Sequence, residues 1–353
     1  MAQAAARMSR RRFAILLIAA VVVISGALYL ASERNLPRDV AGAALLPGLG
    51  AGLGGIDTIT LRKGATAPAV TLQKTGDRWT IAERNGYPAD SAKVRKLLLS
   101  LGDAVVIEEK TADPANYAAI GVDDPAAAGA SSTGIDLISK EGGHAVTHSI
   151  IIGKTSGDGV FARRAGEATS WLVRPAISAE ASPRYWIDAG LMDIPTASIQ
   201  RIAVTPTSGP SYAVHRVDSG KDQFALDAVP AGRKPLDPTS VGPSPIAFSG
   251  LTADDVEPAA GIEFKGPTAV LTLSNGAVVT LRGQVDGDKH RLAIESPQDA
   301  ALEAKAAKRV FDIAAYRYDA IFRPLEQLLE PKAQPKTGKA PAAEPRKPIA
   351  SSR

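Results

Sequence analysis

The pattern Ile56-x-x-Ile59-x-Leu61 returns 143 residues later as Ile199-x-x-Ile202-x-Val204. A spacing of that size exceeds any short solenoid repeat and matches the size of one ordinary domain. The elements that follow recur in the same order. Val70-x-Leu72-x-Lys74 alternates as a strand does, and Ala213-Val214-His215-Arg216 takes its place in the second copy. Trp79-Thr80-Ile81 is echoed by Phe224-Ala225-Leu226. The duplication therefore predicts two related modules, each opening on short strands of period two.

A helix start follows in each copy. Pro88-Ala89-Asp90 precedes Val94, Leu97, Leu98 and Leu101, with Asp90 or Ser91 placed to cap the free N–H groups. Pro235-Leu236-Asp237 precedes Val241, Ile246, Phe248 and Leu251, but Gly242, Pro243 and Pro245 weaken a helix there. A meander comes next. Ile135–Ile138, a turn at Glu141-Gly142-Gly143 and Val146–Ile152 predict one hairpin. Val270–Leu273, Ser274-Asn275-Gly276 and Val278–Leu281 predict the other, since Asn-Gly supplies the positive φ angles of a tight turn. Further strands are expected at Val160–Ala162, Trp171–Val173 and Arg291–Ile294. Aromatic helical stretches are expected to close the copies, with Tyr185 and Trp186 in one and Phe311, Tyr316, Tyr318 and Phe322 in the other. Period-two strands with few long helices give an α+β class with mostly antiparallel sheets.

The two ends differ from this body. Phe13 to Leu30 carries no charge, and Ala31 and Ser32 extend it towards the length that crosses a hydrocarbon core. The membrane-facing positions of such a helix include Phe13, Leu17, Val21, Ile24 and Leu28. Arg7, Arg10, Arg11 and Arg12 before it put the N-terminus in the cytoplasm. A cleaved signal peptide is the rival, but its best cleavage pattern, Tyr29-Leu30-Ala31, has a bulky outer residue. Ser9-Arg10-Arg11-Arg12-Phe13 also resembles a twin-arginine export signal. The expected organisation is a basic segment at 1–12, a transmembrane anchor at 13–32, a flexible glycine-rich linker at 33–55, modules at 56–195 and 196–330, and a disordered tail at 331–353.

Charge follows the same division. The chain has a net charge of +4, with +4 in residues 1–12 and +5 in residues 331–353, which leaves −5 for the body. A basic groove tracking nucleic-acid phosphates is therefore disfavoured. The absence of cysteine excludes disulfides, Cys-ligated zinc, thiol catalysis and a lipidated N-terminal Cys.

The first copy contains the strings Gly76-Asp77-Arg78-Trp79-Thr80-Ile81, Asn85-Gly86-Tyr87-Pro88-Ala89-Asp90, Ala112-Asp113-Pro114-Ala115-Asn116-Tyr117, Ile120-Gly121-Val122-Asp123-Asp124-Pro125, Ile151-Ile152-Gly153-Lys154 and Tyr185-Trp186-Ile187-Asp188. Together they resemble a bacterial family catalogued as domain of unknown function 4340. Their order and spacing match over roughly residues 56–200, and the second copy agrees more loosely. The resemblance implies a membrane-anchored envelope protein, similar to accessory components of ABC-type exporters of the gliding-motility kind. It carries no catalytic residue over.

Candidate chemistry is sparse. Gly153-Lys154-Thr155 lacks the earlier glycine and following helix of a phosphate-binding loop, so a structural turn is expected. Gly50-x-Gly52-x-x-Gly55 follows no strand and is expected to be linker. His144 and His148 lie on one strand, about 13 Å apart, too far for one metal. Asp286-Gly287-Asp288 lacks the remaining oxygens of a calcium loop. Asp123-Asp124 and Asp254-Asp255 are adjacent rather than facing. No G-x-S-x-G or S-x-x-K pattern occurs. Trp79, Trp171, Trp186 and Phe224 sit at inward positions and are expected in the core. Asp113 and Tyr117 form the candidate contact surface, because packing explains their segment least.

No catalytic, cofactor-binding or metal residue is assigned. The expected function is a non-catalytic, single-pass inner-membrane protein with a periplasmic ectodomain. It would bind or scaffold an ABC-type permease or other envelope proteins, without nucleic acid or cofactor. The alternatives are an enzyme on envelope glycan or peptide whose carboxylates meet only in the fold, and a two-module ligand sensor.

Overall fold

The computed structural model describes residues 41–141, 144–217, 222–237 and 241–331. Among the described residues no helix is long and apolar enough to cross a membrane. The expected anchor at 13–32, the start of the linker, the Gly142-Gly143 turn and the tail from 332 lie outside them.

The chain forms two compact units. The first runs to Leu191 and includes Ala253–Ala260, and the second takes Met192–Thr252 and the chain from Gly261 onward. The strands of the first unit are β1 (Ile56–Arg62), β2 (Val70–Thr75), β3 (Arg78–Ile81), β4 (Tyr87–Pro88), β5 (Val105–Thr111), β6 (Thr133–Glu141), β7 (His144–Ser156), β8 (Gly159–Arg164) and β9 (Ser170–Arg174). They form one sheet in the order β4-β3-β2-β1-β6-β7-β8-β9-β5, and the pairings are antiparallel.

After β10 (Gly190–Met192) come β11 (Ile199–Thr205), β12 (Tyr212–Arg216), β13 (Phe224–Leu226), β14 (Leu251–Thr252), β15 (Asp255–Pro258), β16 (Thr268–Leu273), β17 (Val278–Asp286), β18 (Lys289–Glu295) and β19 (Arg309–Asp312). The second unit orders its strands β13-β12-β11-β16-β17-β18-β19. This is the order β3-β2-β1-β6-β7-β8-β9 of the first unit, strand for strand. Even an irregularity recurs. The β1–β6 ladder shifts register between Ile56 and Thr58, and the β11–β16 ladder shifts between Ile199 and Arg201, again 143 residues on.

Among the described residues the α-helices are short: α1 (Leu49–Gly52), α2 (Ser91–Gly102), α3 (Tyr117–Ile120), α4 (Pro183–Trp186), α5 (Ala300–Ala306) and α6 (Ala315–Ile321). Asp90 caps α2, its Oδ1 accepting from the backbone N–H of Ala92 (2.9 Å) and Lys93 (3.2 Å). Val94, Leu97 and Leu101 are the buried stripe of α2, spaced as a helix face requires. Where the second helix was expected, the described residues hold a 3₁₀ turn at Pro245–Phe248. The prolines and Gly242, at φ 140°, account for that difference. Trp79, Trp171, Trp186 and Phe224 are all buried.

Three expectations are corrected. The glycine-rich segment at 41–55 is not a free linker. Leu45, Leu46 and Leu49 are buried, and Gly42 and Leu45 donate to Val106 and Ala104 beside β5. Gly50-x-Gly52-x-x-Gly55 forms α1 and a 3₁₀ turn, with Leu53 so close to Gly102 that a Cβ there would sit 2.8 Å from its Cδ1. The leucines explain this, since their burial outweighs the cost of ordering glycine. Gly153-Lys154-Thr155 lies inside β7 rather than in a turn, at a register shift between Ile152 and Thr155. Phe311 is on β19, not in a helix.

Candidate functional site

The segment 113–132 and the outer face of the first sheet build one connected structure. Asp113 caps a 3₁₀ turn at Pro114–Asn116, its Oδ1 accepting from Ala115 N–H at 3.0 Å. Tyr117 follows at 8 % exposure, its hydroxyl donating to the Ala168 carbonyl. The Arg163 guanidinium lies 4.4 Å from the centre of its ring. Both residues of the candidate contact surface thus have structural work, one as a cap and one as an anchor.

Tyr117, Val122 and Ile151 form a small apolar core with Ile120 and Phe161 against them. This explains why Ile150, Ile151 and Ile152 are all buried on a strand whose neighbours alternate. The main core takes Ile150 and Ile152, and the 117–125 segment covers Ile151 on the other face. Gly153 permits that cover. A Cβ there would lie 2.5 Å from the Ile120 carbonyl oxygen and 2.8 Å from that of Gly121. Lys154 Nζ donates to the Ala119 carbonyl at 2.9 Å, at the C-terminal end of α3. The Gly-Lys pair is therefore a packing and capping device.

Asp123 closes the loop. Its carboxylate accepts from Ser131 N–H (3.2 Å), Ser131 Oγ (3.2 Å) and Ser132 N–H (3.1 Å), and Ser132 Oγ donates back to the Asp123 carbonyl (3.0 Å). Partial burial raises its carboxyl pKa, but these hydrogen bonds together outweigh that and hold it below the ordinary 3.8. Asp124 binds Ala126 N–H through Oδ1 at 2.9 Å, which turns the chain into Pro125.

Pro125 then stands over the sheet. Arg62 on β1 pairs with Gly134 on β6, Gly134 with Ile151 on β7, and Ile151 with Arg163 on β8. Residues directly opposite in an antiparallel ladder point to the same face. Two arginines thus flank Gly134 and Ile151 in one row across four strands. In the next row Thr60, Asp136 and Ser149 align. A cavity of ≈ 340 Å³ opens here, bordered by Arg62, Asp124, Pro125, Asp136, Ser149 and Arg163. Asp136 Oδ2 accepts from Arg62 Nη2 at 2.9 Å and from Thr60 Oγ1 at 3.1 Å. Arg62 Nε is buried and has no hydrogen-bond partner. Arg163 uses Nε on the Val122 carbonyl and Nη1 on the Glu167 carbonyl.

A larger cavity of ≈ 640 Å³ lies on the outer face of the second unit, beside Arg201, Tyr212 and Asp227. Its charges are spent on one another. Arg201 gives Nε (3.1 Å) and Nη2 (2.7 Å) to Asp227 Oδ2, and His215 Nδ1 meets Oδ1 at 2.8 Å. Arg201, then His215, hold the Asp227 carboxyl low. Burial pushes the Tyr212 phenol up, and its hydroxyl donates to the Arg323 carbonyl at 2.6 Å. Among the described residues no three metal-ligating side chains converge.

Fold and site together define a duplicated antiparallel-sheet protein whose first unit carries an open, arginine-bordered cavity. The chain belongs to the family described as Domain of unknown function (DUF4340), whose model matches residues 79–269. No curated protein and no solved structure matches the chain. The arginine row was missed in the sequence, because Arg62 and Arg163 are about a hundred residues apart and only pairing aligns them.

Proposed function

We propose that this is a non-catalytic protein of the bacterial inner membrane, anchored once by residues 13–32, whose two units bind or scaffold partners in the periplasm. The observation that carries the reading is the uncharged run Phe13–Leu30 directly behind four arginines, in a chain whose body is two repeated sheet units. Membership of the family supports the further step, an accessory role beside an ABC-type permease or other envelope proteins. The body's mild negative charge suits recognition by shape and local surface rather than a polyanion partner.

Topology is tested with single cysteines, which this chain lacks naturally. A membrane-impermeant maleimide added to cells with a permeable outer membrane should label Ala145→Cys and leave Ala5→Cys unlabelled. The accessory role is tested by purifying the tagged full chain from its own membranes in mild detergent and identifying what comes with it, the expected partner being an ABC-type permease. Recovery of the chain alone would remove that role, and labelling of Ala5→Cys would remove the orientation.

A further inference from the structure

We infer that a pocket between α2 and the β2–β3 hairpin of the first unit binds a small monocarboxylate with an apolar tail, of the size of a phenylalkanoic acid. The inference goes beyond the scaffolding reading and needs neither the anchor nor a transport partner.

The pocket has a polar and an apolar end. Ser91, Arg95, Leu98 and Leu99 stand at i, i+4, i+7 and i+8, which is one face of α2. That face lies beside the buried stripe of Val94, Leu97 and Leu101 and borders a cavity of ≈ 390 Å³. It is polar towards the start of the helix and apolar towards its end, with Ser91 and Leu98 about 10 Å apart along the axis. Leu53 packs on Gly102 at the end of α2 and widens the apolar side. The opposite wall is the sheet, where Lys74 on β2 pairs with Trp79 on β3, so the two side chains share a face. A ligand charged at one end and apolar at the other fits this division.

The polar groups here are unspent. In the cavities beside Asp136 and Asp227 the charged side chains hold one another. Around this pocket, among the described residues, the side chains of Lys74, Asp77, Ser91 and Arg95 hold no hydrogen bond or ion pair with the protein. Trp79 is only 8 % exposed, yet no described residue accepts from its indole N–H, and that nitrogen is not sealed from solvent. A buried indole N–H ordinarily has an acceptor. The donors are thus an ammonium, a guanidinium, an indole N–H and a hydroxyl, against the one carboxylate of Asp77. A ligand carboxylate accepts from several of them and balances the excess positive charge.

The duplication shows what closes the same place in the other copy. The register sets Arg216 and Phe224 of the second unit where the first has Lys74 and Trp79. The Arg216 guanidinium lies 4.8 Å from the centre of the Phe224 ring and donates from Nε to the Ile199 carbonyl at 2.8 Å and from Nη2 to the Thr196 carbonyl. Thr196 and Ile199 are the counterparts of Leu53 and Ile56, 143 residues on. The second unit therefore fills this place with its own almost fully buried side chain. In the first unit Lys74 makes neither bond, and the place stays open.

The test is ¹⁵N–¹H correlation NMR of the full chain in lipid nanodiscs, with the label in tryptophan. The chain has three tryptophans. Trp79→Phe, a change to the residue type that the second copy carries, identifies the indole signal of Trp79. Titrated 3-phenylpropionate should move that signal saturably, with half-saturation at about a millimolar or below, and leave the other two in place. The uncharged amide, 3-phenylpropanamide, should bind at least about tenfold more weakly, since a site built for a polar group discriminates strongly against its loss. Inorganic phosphate, without the apolar tail, should also bind more weakly than the acid. Arg95→Gln should weaken the acid by about tenfold with the melting temperature unchanged, because Arg95 holds nothing within the protein. A Trp79 signal that does not move, equal binding of acid and amide, tighter binding of phosphate, or undiminished binding to Arg95→Gln overturns the inference.

Discussion

Arg84 and Asp255 stand 171 residues apart in the chain and meet in a two-point ion pair, Nε to Oδ1 at 2.9 Å and Nη2 to Oδ2 at 3.0 Å. Both side chains are mostly buried, at 20 % and 17 % exposure. Both belong to the first compact unit, because residues 253–260 return to it. Asp255 Oδ1 also accepts from Val256 N–H at 2.8 Å, which fixes the carboxylate before the arginine reaches it. The pair thus ties a late segment of the chain to the module built by the early one.

A double-mutant cycle of Arg84→Ala and Asp255→Ala should give a coupling energy of about 1–3 kcal/mol, as bidentate charge-assisted pairs do. Urea unfolding of the four proteins measures it. A coupling near zero would show that the pair is no more than a surface contact.

Gly153→Ala should destabilise the first unit by more than about 2 kcal/mol, because the new methyl meets backbone oxygen rather than a side chain that can move. The distance concerned is 2.5 Å to the Ile120 carbonyl. Gly157→Ala, where no atom lies within 4 Å but φ is 61°, should cost only the backbone strain, about 1 kcal/mol. Thermal melts of the two variants compare them directly, and equal losses would refute the close-packing account of Gly153.

Asp123 makes stability depend on acid. Its folded pKa lies below the ordinary 3.8, so its contribution is complete above that value and is lost as the pH falls through the folded one. Asp123→Asn should lower stability at neutral pH by roughly 0.5–1 kcal/mol, a modest figure because the carboxylate is partly solvated. The gap to the natural chain should narrow below about pH 3.8. Urea midpoints measured from pH 7 to pH 3 give the curve, and a gap independent of pH would count against the carboxylate's role.

Leu45→Ala and Leu49→Ala should each cost about 2–4 kcal/mol, the range for truncating a buried leucine. Both side chains are almost fully buried, at 0 % and 1 % exposure. A true linker would tolerate either change within about 0.5 kcal/mol. The measurement is the denaturant midpoint of the two variants.

The sequence by itself determined the strands and their repetition. Period-two alternation is a local property, written in neighbours such as Ile59 and Leu61 or Ala269 and Leu271, and burial of one sheet face enforces it. The cap at Asp90 and the Asn275-Gly276 turn were legible for the same reason, since each needs only residues within a few positions. The repeat read from the sequence is matched by the same strand order in the two sheets, which only the structure shows. Three further things needed the tertiary structure. The leucines at 45, 46 and 49 outweighed a glycine-rich composition only because β5 and α2 offered a surface to bury them. Gly153-Lys154 took its meaning from the 119–122 backbone lying across it. The row that joins Arg62 to Arg163 exists only through three successive pairings. A one-residue slip in any of them would turn an arginine to the opposite face, and no local pattern in the chain fixes that register.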